Sequence, residues 1–260
     1  MAGKDRKKQL ARQRYERQQQ RRAQEAAKTR RLKIMGSAAA VAAIVVGGAA
    51  IVAFTGKDDE PEAGAKASAT PQAKPGECAY KPASVPGAPK DLGTPPVKPV
   101  RTGTVKATVE TDHGDVVFEL DGQKAPCTVN SFAFLAEKNY YDKTECHRLT
   151  SGGLNVLQCG DPTGKGTGGP GYQFANENTE GAKYTAGTLA MAHSSQPDSN
   201  GSQFFIVYED SELRPDYTVF GKITKGLDVV QKIAKGGSDP KGDGAPKKKV
   251  TIQDVSIAGK

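Results

Sequence analysis

The sequence predicts a mainly β domain built of short strands with two helices. Ahead of it come a basic arm, an apolar span and a proline-rich linker. Three observations predict this. Runs rich in Val, Ile, Phe and Thr, bounded by turn residues, recur from Val105 onward. Only two stretches of that region carry helical spacing. Upstream, charge and apolar residues are segregated into separate blocks.

The net charge of +8 belongs to the first block alone. Residues 1–33 hold 13 of the 37 Lys and Arg but only 3 of the 29 Asp and Glu. Residues 34–55 then carry no charge and are rich in Ala, Val, Ile and Gly. A membrane-spanning helix needs roughly 20 such residues. The basic arm on one side and Lys57-Asp58-Asp59-Glu60 on the other place 1–33 in the cytoplasm and the remainder outside. A cleaved signal peptide would have a shorter basic region and a shorter apolar core. The arm reads as a topology determinant lying against anionic lipid. Nucleic-acid binding is not expected, since only Tyr15 could stack on a base.

Residues 56–103 read as a linker, rich in Pro, Ala and Lys, too poor in large apolar residues to offset ordering entropy. Within it, Glu77-Cys78-Ala79-Tyr80 breaks the pattern and is expected to dock on the domain. The cysteines are Cys78, Cys127, Cys146 and Cys159, all on the expected outer side. An oxidising compartment favours disulfides, and spacing leaves three pairings open. A metal site would want close pairs such as C-x-x-C, which are absent, so no metal is expected.

The domain occupies residues 104–260. Strands over 105–111 and 115–120 alternate around Asp112-His113-Gly114 as a hairpin. Pro126 opens a helix over 127–138, with Val129, Phe132, Ala133 and Leu135 on one face. Further strands are expected over 145–150, 156–159, 188–192, 204–207, 219–223 and 249–257, with a second helix over 227–234. Such a set argues for a barrel or a sandwich. The glycine run 164–171 lacks the G-K-[ST] ending of a phosphate loop and reads as a surface loop.

Three runs carry the functional signal. They are Cys146-His147-Arg148-Leu149 with Val156-Leu157-Gln158-Cys159, then Asn200-Gly201-Ser202-Gln203-Phe204-Phe205, then Tyr217-Thr218-Val219-Phe220-Gly221. In this order they resemble the cyclophilin family of peptidyl-prolyl isomerases, over roughly residues 104–258. The resemblance implies a closed eight-stranded barrel capped by a helix at each end. It also implies that the glycine run borders a substrate groove.

By the same resemblance Arg148 is the catalytic arginine, Gln158 orients it, and Gln203 lies near the substrate backbone. Phe205, Val156 and Leu213 wall the proline recess, and Ala192 and His193 meet the peptide main chain. The stretch from Arg148 to Gln158 is longer than in well-known relatives, so the family's pocket phenylalanine falls at Asn155, with Leu154 as its substitute if the loop shifts. Glu212 stands where many relatives have Trp, and Tyr217 where they have His. These departures imply altered activity and weak cyclosporin binding.

The expected function is X–Pro isomerisation in proteins outside a bacterial membrane, by a single-pass monomer without a cofactor. The alternative is a peptide-binding module or holdase using the same groove. The chemistry fits the residues. Twisting an X–Pro amide costs ~18–20 kcal/mol through lost resonance. A fixed guanidinium that donates to the pyramidal prolyl nitrogen favours the twisted state.

Overall fold

The structure is a computed structural model and describes residues 74–196 and 198–258. The expected basic arm, the 34–55 span and the first part of the linker lie outside the described residues. Among the described residues no helix is long and apolar enough to cross a membrane.

Twelve strands and two helices are described. They run β1 (Lys81–Pro82), β2 (Thr104–Thr111), β3 (Gly114–Asp121), α1 (Pro126–Glu137), β4 (Arg148–Thr150), β5 (Val156–Cys159), β6 (Tyr172–Gln173) and β7 (Thr188–Met191). After these come β8 (Phe204–Val207), β9 (Val219–Lys225), α2 (Leu227–Lys235), β10 (Ser238–Asp239), β11 (Asp243–Pro246) and β12 (Ile252–Ile257). Ten strands form one sheet in the order β10-β11-β4-β5-β8-β7-β9-β3-β2-β12, all antiparallel.

The expectation of a closed eight-stranded barrel needs correction here. Eight strands, from β4 through to β12, match it, but the β10–β11 hairpin occupies the outer edge of β4. No ladder therefore pairs β12 with β4. The gap is crossed just ahead of β4 and around the start of β12. Lys143 donates to the Ile252 carbonyl, Ile252 to Thr144 and Cys146 to Val250, around a bridge between Glu145 and Thr251. This also explains why residues 145–147 and 249–251, expected inside strands, fall outside them.

Alternation decides what the sheet buries. Leu149, Leu157, Ile206 and Leu189 lie opposite one another across β4, β5, β8 and β7 and enter the main core. The helices close on that core. α1 contributes Val129, Phe132 and Leu135, and α2 contributes Val230 and Ile233. Rings gather round Phe132, with Tyr141 at 5.1 Å, Phe204 at 5.5 Å and Phe220 at 5.6 Å between centroids. The first turn of α1 receives no cap from its own N-cap residue, Ala125. Glu177 supplies one from a distant loop. Its carboxylate accepts from the Cys127 and Thr128 amides and the Thr128 hydroxyl. A carboxylate there also suits the positive end of the helix dipole.

The linker expectation is corrected over its described part. Residues 74–103 lie against the domain and do not extend from it. Cys78 is bonded to Cys127 at the start of α1, and Cys146 to Cys159, which settles the three-way choice of pairings. Tyr80 packs edge-on against Tyr172 and Phe174 and donates its hydroxyl to the Cys127 carbonyl. Asn130, buried on α1, donates to the Pro96 carbonyl and the Tyr80 hydroxyl. β1 pairs with β6. The docking expected of Glu77-Cys78-Ala79-Tyr80 is observed, and it extends to Pro96 through buried polar partners that composition does not mark.

The Cys78–Cys127 bridge closes a separation of 49 residues, a loop for which chain entropy gives about 4 kcal/mol. Replacing both cysteines with serine is expected to lower the denaturant midpoint and to let protease cut within residues 78–100 before the body. A midpoint shift corresponding to less than about 1 kcal/mol would show that the segment docks without its covalent pin.

Candidate active site

The residues singled out by sequence meet on the outer face of the sheet. Arg148 lies opposite Gln158, Gln158 opposite Phe205, and Phe205 opposite Ala190, across β4, β5, β8 and β7. Directly opposed residues on neighbouring strands share a face. One cross-strand row therefore carries a cation, an amide and an aromatic ring side by side. The alternate residues along the same strands fill the core, so a one-residue slip in register would bury Arg148 and expose Leu149.

Hydrogen bonds fix the polar end of this row. Arg148 Nη1 donates to Gln158 Oε1 at 3.2 Å. Gln158 Nε2 donates to Gln203 Oε1 at 2.9 Å. Gln203 Nε2 donates to the Gly168 carbonyl at 2.9 Å. The glycine run is thereby tied to the groove, with contact through backbone. Asp161, wholly buried, holds the same run. It accepts from the Thr163 amide and hydroxyl at 2.7 and 2.8 Å. Burial pushes its carboxyl up, but donors from Thr163, Gly168 and Gly166 outweigh burial and leave it below the usual carboxylate range. Between this run and Gln203 lies a cavity of about 400 Å³, lined by Val85, Gln158, Gly168, Ala192 and Ser202 among others.

Arg148 has a further partner that sequence reasoning missed. Asp243 on β11 accepts from Nε at 2.7 Å and from Nη2 at 2.9 Å. This hydrogen-bonded pairing raises the arginine above its ordinary value and lowers the aspartate below its own. Asp243 lies 95 residues away in the chain, and no local motif marks it.

On the same face of the sheet packs a small apolar cluster. Val156, Phe205, Val207, Ala190 and Tyr184 form its buried part, and Leu154, Leu213, Ala192, Tyr217 and Val219 pack against it. Tyr217 meets Phe205 edge-on at 5.6 Å. The structure thus brings Phe205, Val156, Leu213, Ala192 and Tyr217 together. Tyr184 was not foreseen, because nothing in its surroundings in the chain points to the site.

Two expected substrate contacts have partners within the chain. Asn155 is buried. It donates to the Asp210 carbonyl, accepts from the Gly152 amide and braces the neighbouring turns. A buried amide needs such partners, and Leu154 takes the apolar place instead. The His193 ring stacks on Tyr217 at 4.6 Å, and its two nitrogens lie 2.7 Å from the Ser194 carbonyl and 2.8 Å from that of Asp216. The ring thus ties two loops together, while His193 also lines the cavity beside Gln203. The amide of Ala192 donates to the Gln203 carbonyl at 2.9 Å, so main-chain capture there would use other groups.

The site thus combines a half-buried cation, a relay of side-chain amides and an apolar cluster on one face of the sheet. Comparison with known proteins agrees. The family described as cyclophilin type peptidyl-prolyl cis-trans isomerase/CLD matches residues 106–257, and the chain belongs to it.

Over 202 residues the chain is 46% identical to a probable peptidyl-prolyl cis-trans isomerase B of Mycobacterium leprae, covering 69% of this chain and 66% of that one. It spans slightly less than two thirds of such mycobacterial relatives. Peptidyl-prolyl cis-trans isomerase B of Bacillus subtilis is 45% identical over 128 residues, covering 48% of this chain and 87% of that one. Among solved structures, a cyclophilin type isomerase of Cryptosporidium parvum, in the presence of the dipeptide Ala-Pro, aligns with a TM-score of 0.53 at 33% identity. That alignment covers 60% of this chain and 99% of the other.

Proposed function

We infer that this chain catalyses cis–trans isomerisation of X–Pro bonds in polypeptides. The observation that carries the inference is the placement of Arg148 in one row with Gln158 and Phe205, its guanidinium held by side-chain hydrogen bonds. No bond is made or broken in the reaction, so no nucleophile is required. Phe205, Val156, Leu213 and Tyr217 would take the proline ring. Gln203 would hold the peptide backbone, and Arg148 would donate to the prolyl nitrogen as it loses conjugation. Held groups of this kind favour the twisted state because they need no reordering as it forms.

Uncatalysed X–Pro isomerisation takes tens to hundreds of seconds. The purified full chain is expected to accelerate the cis-to-trans step of X–Pro peptides and of a proline-limited refolding reaction. A panel of such peptides showing no acceleration would leave only the holdase reading.

We place the reaction outside a bacterial membrane. The charge-free stretch 34–55, the basic arm before it and the two disulfides support this. Newly exported chains are the substrates such a placement suggests. Isolating the membrane fraction and treating intact spheroplasts with protease tests it. A domain that stays protected inside would refute the topology.

The recess also lacks two aromatic walls. Leu154 and the exposed Glu212 stand where larger rings were looked for. Cyclosporin is expected to bind weakly. Nanomolar-class inhibition in a titration would contradict that.

A further inference from the structure

Asp243 has no place in the chemistry given so far, yet its pairing with Arg148 is the most complete contact the arginine makes. Five N–H groups are available on a guanidinium. Asp243 takes one on Nε and one on Nη2, and Gln158 takes one on Nη1. One N–H on Nη1 and one on Nη2 remain, on the two terminal nitrogens.

Strand order sets the direction. β4 lies between β11 and β5, with β8 beyond β5. The carboxylate therefore holds the arginine from one side while Gln158 and Phe205 lie on the other. We propose that Asp243 is a positioning residue for Arg148, fixing the plane of the guanidinium so that its remaining donors serve the recess. The proposal rests on the isomerase reading.

The mount of Asp243 suits this role. The β10–β11 hairpin is short and tightly bonded. Ser238 donates its hydroxyl to the Pro240 carbonyl at 2.9 Å and accepts from the Gly242 amide at 3.1 Å. Ser151, just past β4, donates to the Gly242 carbonyl at 2.9 Å. At Gly244 a side chain would strike the backbone of Asp239 and Pro240. The register then sets Asp243 opposite Thr150 and Gly244 opposite Leu149.

Stability does not account for the pair. The side chains of Arg148 and Asp243 are 38% and 59% exposed, and exposed ion pairs contribute little to folding. A long, flexible side chain that must hold one orientation during the reaction gains more from a two-point clamp than the fold does.

The test uses the full chain, with Asp243→Asn made in the wild type and in an Arg148→Ala background, and Asp243→Glu alongside. Asp243→Asn is expected to lower kcat by about tenfold, a change of about 1.4 kcal/mol in the barrier, with KM nearly unchanged. Asp243→Glu should lose less, since it keeps the charge. In the Arg148→Ala background the Asn substitution should cost nothing further, because both act through one group. The Arg148 Nε–H resonance, protected in the wild type, should become exchange-exposed in Asp243→Asn. If the Asn variant does not fold, Asp243→Ser takes its place.

An unchanged kcat in Asp243→Asn, beside an active wild type and a strongly impaired Arg148→Ala, would overturn the positioning role and leave the isomerase reading intact. So would an equal loss in both backgrounds, or a resonance that stays protected. An inactive wild type would remove the isomerase reading and this proposal with it.

Discussion

Replacing Arg148 with alanine is expected to lower kcat/KM on X–Pro peptides by about 10²–10³-fold, the range found when one charge-stabilising donor is removed from an enzyme site. The reasoning starts from the barrier. The twisted amide differs from either planar isomer chiefly at nitrogen, which gains a lone pair when conjugation breaks. A donor aimed at that atom acts on the transition state and hardly at all on the ground states, so the loss should appear in kcat more than in KM.

Arg148→Lys should recover only part of the activity. Lysine keeps the charge but has no planar fork to engage Asp243 and Gln158 together. Folding should survive either change, since the side chain lies on the outer face and its ion pair is largely exposed. The measurement is a steady-state comparison on a peptide panel, backed by proline-limited refolding. If Arg148→Ala matched the wild type in both, the groove would be a binding surface only.

The largest expected effect on stability is at Phe132. Truncation to alanine removes a ring that is 2% exposed and touches Phe118, Tyr141, Phe204 and Phe220. Losing a buried aromatic of this kind costs about 3–5 kcal/mol, through lost transfer energy and the cavity left behind. Against a typical total of roughly 5–15 kcal/mol, that is a large share.

The consequence should reach beyond the core. Phe132 anchors α1, which also carries Cys127 and Asn130, the residues that hold the 78–100 segment. Urea unfolding followed by circular dichroism should show the loss, and hydrogen exchange should show the N-terminal segment opening earlier. A loss below about 1 kcal/mol would mean that the surrounding rings collapse into the space.

Much of the fold was legible in the chain. β5 and β8 fall where short apolar runs placed them, and both helices begin within a residue of where proline and spacing put them. The short strands β1, β6, β10 and β11 were not legible. Two-residue pairings carry no period, and Asp243-Gly244-Ala245-Pro246 reads as a turn by composition. Of the site, the central row was found through motif resemblance. At the rim, the side chains of Asn155 and His193 meet loop carbonyls that no local motif marks.

What the sequence determined by itself was the hairpin alternation over 105–120, the helical spacing at 127–138, and the order of a basic, a charge-free and a mixed block. Side-chain periodicity is a property of the chain, and segregated charge needs no fold to be read. The tertiary structure alone decided which cysteines pair, how residues 78–100 pack, that β11 pairs with the edge of β4, and that Asp243 grips Arg148. Each of these joins groups that are distant along the chain, and only the packed sheet and helices bring such groups within bonding distance.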